Sequence, residues 1–102
     1  MKINPRYYEV LPPKTRVGNG ITPTDEMFRF IIQNHLDGKS RLVNRDEFRV
    51  EFPGSQIPDS SLNRYFGMCE VLNPDYPLSD QMVCSRRLVE LWDEMTGMES
   101  VI

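Results

Sequence analysis

The sequence predicts an all-α fold: a compact four-helix domain preceded by an extended N-terminal arm. Four segments, near residues 22–37, 44–52, 58–72 and 79–96, carry apolar side chains at the i, i+3, i+4 spacing of one helix face. Residues typical of helix starts open these segments, and proline or glycine separates them. A length of 102 residues with 39% hydrophobic residues predicts one globular domain, here residues 22–97.

Residues 1–21 form the predicted arm. Residues 6–11 are rich in aromatic and aliphatic side chains that favour an extended backbone, and the pair Pro12-Pro13 cannot lie inside a helix. The arm holds four Lys or Arg residues against Glu9 alone. It therefore either lies along phosphates or a partner, or packs on the domain through its apolar side chains.

The first helix has a strong predicted start. Thr22 is placed to cap it, Pro23 to occupy its first position, and Asp25 to reach back as in a capping box. The helix is expected to end at Leu36, before Asp37-Gly38. His35 lies beside the apolar stripe and is expected to be a boundary residue, because no local spacing places a nucleophile or carboxylate near it.

The second helix is predicted to begin at an Asn44 cap. Glu47 follows three residues later, and Val43 and Phe48 occupy the positions of a hydrophobic staple. Proline cannot donate the next backbone hydrogen bond, so the helix is expected to stop at Pro53-Gly54.

The third and fourth helices are read in the same way. Pro58 is the expected first residue of the third helix, and Ser79 the expected cap of the fourth, with Leu78 stapled to Val83 and Cys84 on the inward face. Residues 98–102 are expected to fray. The predicted core is Phe28, Ile31, Ile32, Leu36, Phe48, Phe52, Leu62, Phe66, Leu88 and Trp92.

Residues 22–72 resemble the helix-turn-helix superfamily. Phe48 and Phe52 stand where the scaffold helix packs, Ile57 where a turn residue enters the core, and Leu62 and Tyr65 where the second helix packs. The chain departs from the pattern in a turn longer than is usual and in having Arg49 where a small residue is typical.

The resemblance implies a DNA-binding regulatory protein whose third helix enters the major groove, with a homodimer as one arrangement. Ser60, Asn63 and Arg64 would face the bases, beside Asp59 and Ser61, because Asn pairs with adenine and Arg with guanine. Phosphates would be contacted by Lys39, Arg41 and Arg45.

The distribution of charge favours an alternative. The net charge is -3, and residues 70–102 hold seven acidic and two basic residues, whereas residues 1–69 hold ten basic and eight acidic ones. Glu90, Asp93 and Glu94, with Glu99 nearby, predict a surface that would bind a basic host protein. Small size and acidity are typical of a phage or mobile-element inhibitor or adaptor of the anti-CRISPR or host-takeover type.

The sequence lacks the motifs of common enzyme and metal-binding classes. There is no Gly-x-x-x-x-Gly-Lys loop, no Gly-x-Ser-x-Gly elbow and no Cys-x-x-Cys pair, so we expect no enzymatic activity, cofactor or metal. Cys69 and Cys84 are expected to be unbridged in a reducing compartment. No apolar run is long enough to cross a bilayer, so we expect a cytoplasmic protein without a membrane partner.

Overall fold

A computed structural model describes residues 8–10, 22–76 and 82–97. Four helices follow one another: α1 (Asp25–Leu36), α2 (Arg41–Glu51), α3 (Asp59–Leu72) and α4 (Arg86–Thr96). Two three-residue strands, β1 (Tyr8–Val10) and β2 (Met82–Cys84), pair in parallel. The all-α class is therefore confirmed, with one short strand pair added to it.

The register of the strand pair joins Tyr8 to Met82 and Val10 to Cys84. Extended backbone was predicted for this part of the arm, and β1 has it. The rest of the predicted arm, residues 1–7 and 11–21, lies outside the described residues, as do residues 98–102.

Two predicted helix caps are wrong. Thr24, not Thr22, caps α1 and accepts a hydrogen bond from the backbone of Met27 (3.2 Å). Ser40, not Asn44, caps α2 and accepts from the backbone of Val43 (3.2 Å). At the start of each of these two helices, two polar residues that could serve as the N-cap lie close together in the sequence. In α2 the second of them, Asn44, lies nearer the core-facing side and is part of the helix.

Asn44 has a structural role inside α2 instead. It is 2% exposed, and its side-chain amide donates to the carbonyl of Ile31 (3.1 Å) while its oxygen accepts from Asn34 (3.3 Å). The hydrophobic staple predicted between Val43 and Phe48 is also wrong, because Val43 is 41% exposed.

The start of the last helix is also corrected. Residues 82–84 are strand, and α4 begins at Arg86 with Ser85 as its cap, bonded to the backbone of Leu88 (3.4 Å). A strand can form here because β1 supplies a partner far away in the sequence, which helical periodicity does not reveal. Cys84 is buried as predicted, but from β2, and the proposed Ser79 cap and its Leu78 staple lie outside the described residues.

The hydrophobic core is close to the prediction. Phe52 is only partly buried at the C-cap of α2, and Leu36 is 38% exposed at the end of α1, so its placement in the core is wrong. Ile57, in the turn before α3, is 4% exposed and fills the core as expected. The predicted core residues that are buried are Phe28, Ile31, Ile32, Phe48, Leu62, Phe66, Leu88 and Trp92.

Helix α1 is central because its apolar side chains meet all three other helices. Phe28 packs edge-on against Tyr65 of α3, with ring centroids 5.2 Å apart. Phe30 packs against Phe48 and Phe52, at 6.3 and 5.5 Å. This arrangement leaves one side of α2 directed away from the core. Among the helices described here, none has the length and apolar character that crossing a bilayer requires.

Candidate functional site

A row of arginines on α2 faces α3. Arg41, Arg45 and Arg49 recur every four residues, which places them on one side of the helix. Arg41 donates two hydrogen bonds to Glu70 (2.8 and 2.7 Å). Arg49 donates to the carboxylate of Asp59 and to the carbonyl of Ile57 (2.7 Å). The row therefore ties both ends of α2 to α3.

A groove between α2 and α3 gathers most of the predicted DNA-contacting residues. It has a volume of about 390 Å³. The groove is lined by Arg41, Leu42, Arg45, Asp59, Ser60, Asn63 and Phe66. Arg41, Arg45, Ser60 and Asn63 thus lie beside one groove. Lys39 and Arg64, also assigned to DNA, are not part of its lining.

The basic groups of this surface already have acidic partners. Arg41 also donates to the side-chain oxygen of Asn63 (3.0 Å), and Arg45 pairs with Asp46 (3.1 Å). Lys39 pairs with Glu47 (2.8 Å). A phosphate would compete with these partners for the cations.

Two of the hydrogen-bonded pairs on this surface shift the pKa of one of their members. The hydrogen bond that Asp59 accepts from Arg49 lowers the pKa of Asp59, and the hydrogen bonds that Arg41 donates to Glu70 raise the pKa of Arg41. Arg64 differs from the other cations because it is exposed and has no ion-pair partner within residues 22–76 or 82–97.

Two of the acidic residues predicted to bind a partner are paired with arginines, and one of them, Glu94, joins α4 to α1. Glu94 accepts from Arg29 of α1 (3.0 Å), and Glu90 accepts from Arg87 (3.0 Å). Arg87 in turn pairs with Asp25, and this contact lowers the pKa of the Asp25 carboxyl. Asp93 lies on the same helix and is only partly exposed. The carboxylates are therefore partly neutralised within the fold.

The outward side of α2 carries exposed aliphatic residues that the sequence analysis missed. Val50 is 81% exposed, Leu42 57% and Val43 41%. With Asp46, which lies between Leu42 and Val50 on the same side, they form what we call the α2 face. The signal was present in the sequence, because Leu42 and Val50 lie opposite the buried pair Asn44 and Phe48 on a helical wheel.

A shallow depression adjoins the α2 face. It has a volume of about 390 Å³ and lies between α1 and α2. Its lining combines the apolar side chains of Phe30 and Val50 with the carboxylates of Asp46, Glu47 and Glu51. This combination can receive a long side chain that has an apolar stem and a positively charged end.

The remaining reactive groups are enclosed. Cys69 and Cys84 are buried and not joined by a disulfide, and burial raises the pKa of both thiols, that of Cys84 to about 12. A thiol held protonated in this way is a poor nucleophile.

His35 is buried rather than at the boundary, with its ring 5.0 Å from that of Tyr76 and 5.8 Å from that of Trp92. Its Nε2 lies 2.9 Å from the side-chain amide of Asn73. In the part of the chain that the structure describes, no group of His, Cys, Asp or Glu residues is arranged to hold a metal ion.

Comparisons with known proteins give no family: no family model matches the chain, and neither the curated proteins nor the solved structures yielded a significant match.

Proposed function

We propose that this chain is a protein-binding protein that docks a partner on the α2 face. The observation that carries the proposal is the exposure of Leu42, Val43 and Val50 on one 11-residue helix. Single exposed aliphatic residues are ordinary, but a group of them on one face is typical of interaction sites. Inhibitor or adaptor proteins of the anti-CRISPR or host-takeover type would use such a surface.

The α2 face is a better candidate than the acidic side of α4. Glu90 and Glu94 are paired with arginines of the fold, as Asp46 and Glu47 of α2 are paired with Arg45 and Lys39, so charge alone does not distinguish the two surfaces. The exposed aliphatic side chains of α2 do distinguish them. Val50 has no competing role, because its side chain points into solvent. Covering it would remove apolar surface from water at no loss of existing contacts, which favours association.

The test is site-specific photo-crosslinking in the cells that make the protein. A benzophenone amino acid replaces Val50 in one variant and Glu26, an exposed residue of α1, in the matched control. The expected result is one defined protein adduct from position 50 and none from position 26. Equal labelling of many proteins from both positions, or none from either, would contradict the proposal.

DNA binding is a second candidate, and a separate observation favours it. Arg41, Arg45, Ser60 and Asn63, chosen from the sequence as DNA-contacting residues, line one groove at the start of α3. Arg64, exposed on the same helix, supplies a cation that needs no internal pair to open. In that arrangement α3 would enter the major groove of the DNA, and Arg41 and Arg45 would contact phosphates.

The DNA candidate is tested by selecting a site from random duplexes and titrating salt. If DNA is the ligand, affinity falls steeply and log-linearly with salt, and the double variant Asn63→Ala, Arg64→Ala loses specific binding while remaining folded. A matched control is Glu26→Ala, Gln33→Ala on α1. No selected site, or undiminished affinity of the Asn63, Arg64 variant, would reject DNA binding by this helix.

A further inference from the structure

The α2 face has a charge pattern that narrows the choice of partner. Asp46 lies four residues after Leu42 and four before Val50, so the three side chains form a row with one helical turn between neighbours. An aliphatic residue therefore stands at each end of the row and a carboxylate in the middle. Glu47 and Glu51 extend the negative charge toward the depression beside Phe30.

These carboxylates remain accessible to an incoming cation. The side chain of Asp46 is 64% exposed in its pair with Arg45, and that of Glu47 is 43% exposed in its pair with Lys39. Solvent-exposed ion pairs are weak, and a carboxylate has two oxygens that can be shared between two cations. Glu51 is exposed and has no ion pair within the described ranges.

A second copy of this chain is a poor occupant of the α2 face. Two-fold symmetry brings the same patch of both copies together, so a contact centred on the row places Asp46 against its own copy. A contact centred elsewhere avoids that repulsion but leaves Leu42 or Val50 uncovered. The arginine row on one flank of α2 adds to the cost, because an antiparallel pair would place like flanks together.

We infer that the α2 face binds an amphipathic helix of a partner protein in which one lysine or arginine lies between two aliphatic residues, each one turn away. The aliphatic residues pack on Leu42 with Val43 and on Val50. The cation lays its stem on Val50 and Phe30 and directs its charged end to Asp46 and Glu47. This inference rests on the proposed protein-binding function and specifies the partner surface that it requires.

The experiment uses three synthetic helical peptides that differ only in the residue between two leucines: lysine, leucine or glutamate. Each is titrated into the full chain and followed through the backbone amide signals of residues 42–51. The lysine peptide is expected to bind at least about tenfold more tightly than the glutamate peptide at low salt, with the leucine peptide between them. In the variant Asp46→Lys, Glu47→Lys the order is expected to reverse.

The matched control is Glu26→Lys, Asp75→Lys, which makes the same change in net charge at exposed residues away from α2. It is expected to leave the order of the three peptides unchanged. If the leucine peptide binds most tightly, if the order ignores the reversal at residues 46 and 47, or if the control reverses it too, the inferred cation is wrong. A concentration-dependent dimer abolished by Val50→Ser would replace the partner helix with a second copy.

The two proposals fail in distinguishable ways. A defined crosslink from position 50 without binding of any peptide rejects the partner chemistry and leaves the docking surface standing. Absence of both the crosslink and peptide binding rejects both. Binding of the lysine peptide with shifts confined to residues outside 42–51 rejects the α2 face as the site.

Discussion

The guanidinium of Arg41 makes two hydrogen bonds to the carboxylate of Glu70, at 2.8 and 2.7 Å, and joins the first residue of α2 to the last turn of α3. The same arginine donates to Asn63 (3.0 Å). A residue assigned to phosphate contact and one assigned to base contact are thus bonded to each other. The contacts of Arg41 with Glu70 and Asn63 restrain side chains on which DNA binding would depend. Removing the Glu70 carboxylate therefore distinguishes a structural role of Arg41 from a role in binding.

Glu70→Gln should release Arg41 without unfolding the protein. We expect the free energy of unfolding to fall by less than about 1 kcal/mol, because both side chains are partly exposed and such pairs are weak. If the groove binds DNA, affinity should rise, since one cation no longer has an internal carboxylate. Urea denaturation and DNA titration measure the two effects, with Asp75→Asn as control, and a fall in affinity would contradict the expectation.

Asn44→Ala should destabilise the fold. The substitution removes the buried amide that bonds to the carbonyl of Ile31 and to Asn34, and leaves Asn34 without that partner. The expected loss is about 1–3 kcal/mol in the free energy of unfolding. A double-mutant cycle with Asn34→Ala should show the two residues to be coupled, and strictly additive losses would disprove the coupling.

Phe48→Ala and Val50→Ser should differ sharply although they are two residues apart. Phe48 is 0% exposed, so its truncation should cost about 3–5 kcal/mol. Val50 is 81% exposed, and its substitution should change the free energy of unfolding by no more than about 0.5 kcal/mol. Chemical denaturation compares them, and a large loss in the Val50 variant would mean that this residue packs in the fold.

Asp25 and Asp59 should each titrate below the ordinary pKa of 3.8, because Arg87 and Arg49 hydrogen-bond to their charged forms. A lowered pKa in the folded state stabilises the fold above the unfolded pKa. This contribution is lost as the pH falls through the folded pKa. Carboxyl NMR signals measure both values.

Each arginine variant serves as the control for the other. Arg49→Gln should raise the pKa of Asp59 and leave that of Asp25 unchanged, and Arg87→Gln should do the reverse. A rise in both carboxyl pKa values in either variant would point to a general loss of structure rather than loss of the pair.

Local sequence signals predicted the helices where periodicity and breakers agreed. Pro53-Gly54 ended α2 because proline lacks the donor that a helix interior requires. Pro58, expected as the first helical residue, is instead the N-cap of α3, which begins at Asp59. Local rules did not decide the cap positions, since Thr22 and Thr24, or Ser40 and Asn44, satisfy the same rule. Only the packing of Asn44 against Ile31 decided which of the second pair became the cap.

In the candidate site, too, some features could be predicted from the sequence and others depend on tertiary packing. Arg41, Arg45, Ser60 and Asn63, which line the groove, were selected from the resemblance to helix-turn-helix proteins. The sequence did not reveal that charges are paired across the fold, as in Arg29 with Glu94, which are 65 residues apart. Ion pairs of this kind depend on which helix faces lie together.

The sequence by itself determined an all-α domain, its four helices and most of its core, because hydrophobic periodicity and proline are local properties of the chain. Tertiary structure decided the rest. It converted residues 82–84 into a strand by supplying β1 as a partner, buried Asn44, and left Val50 in solvent. The physical reason is that burial and strand pairing depend on contacts between segments that are distant in the sequence. These contacts form only when the helices pack together.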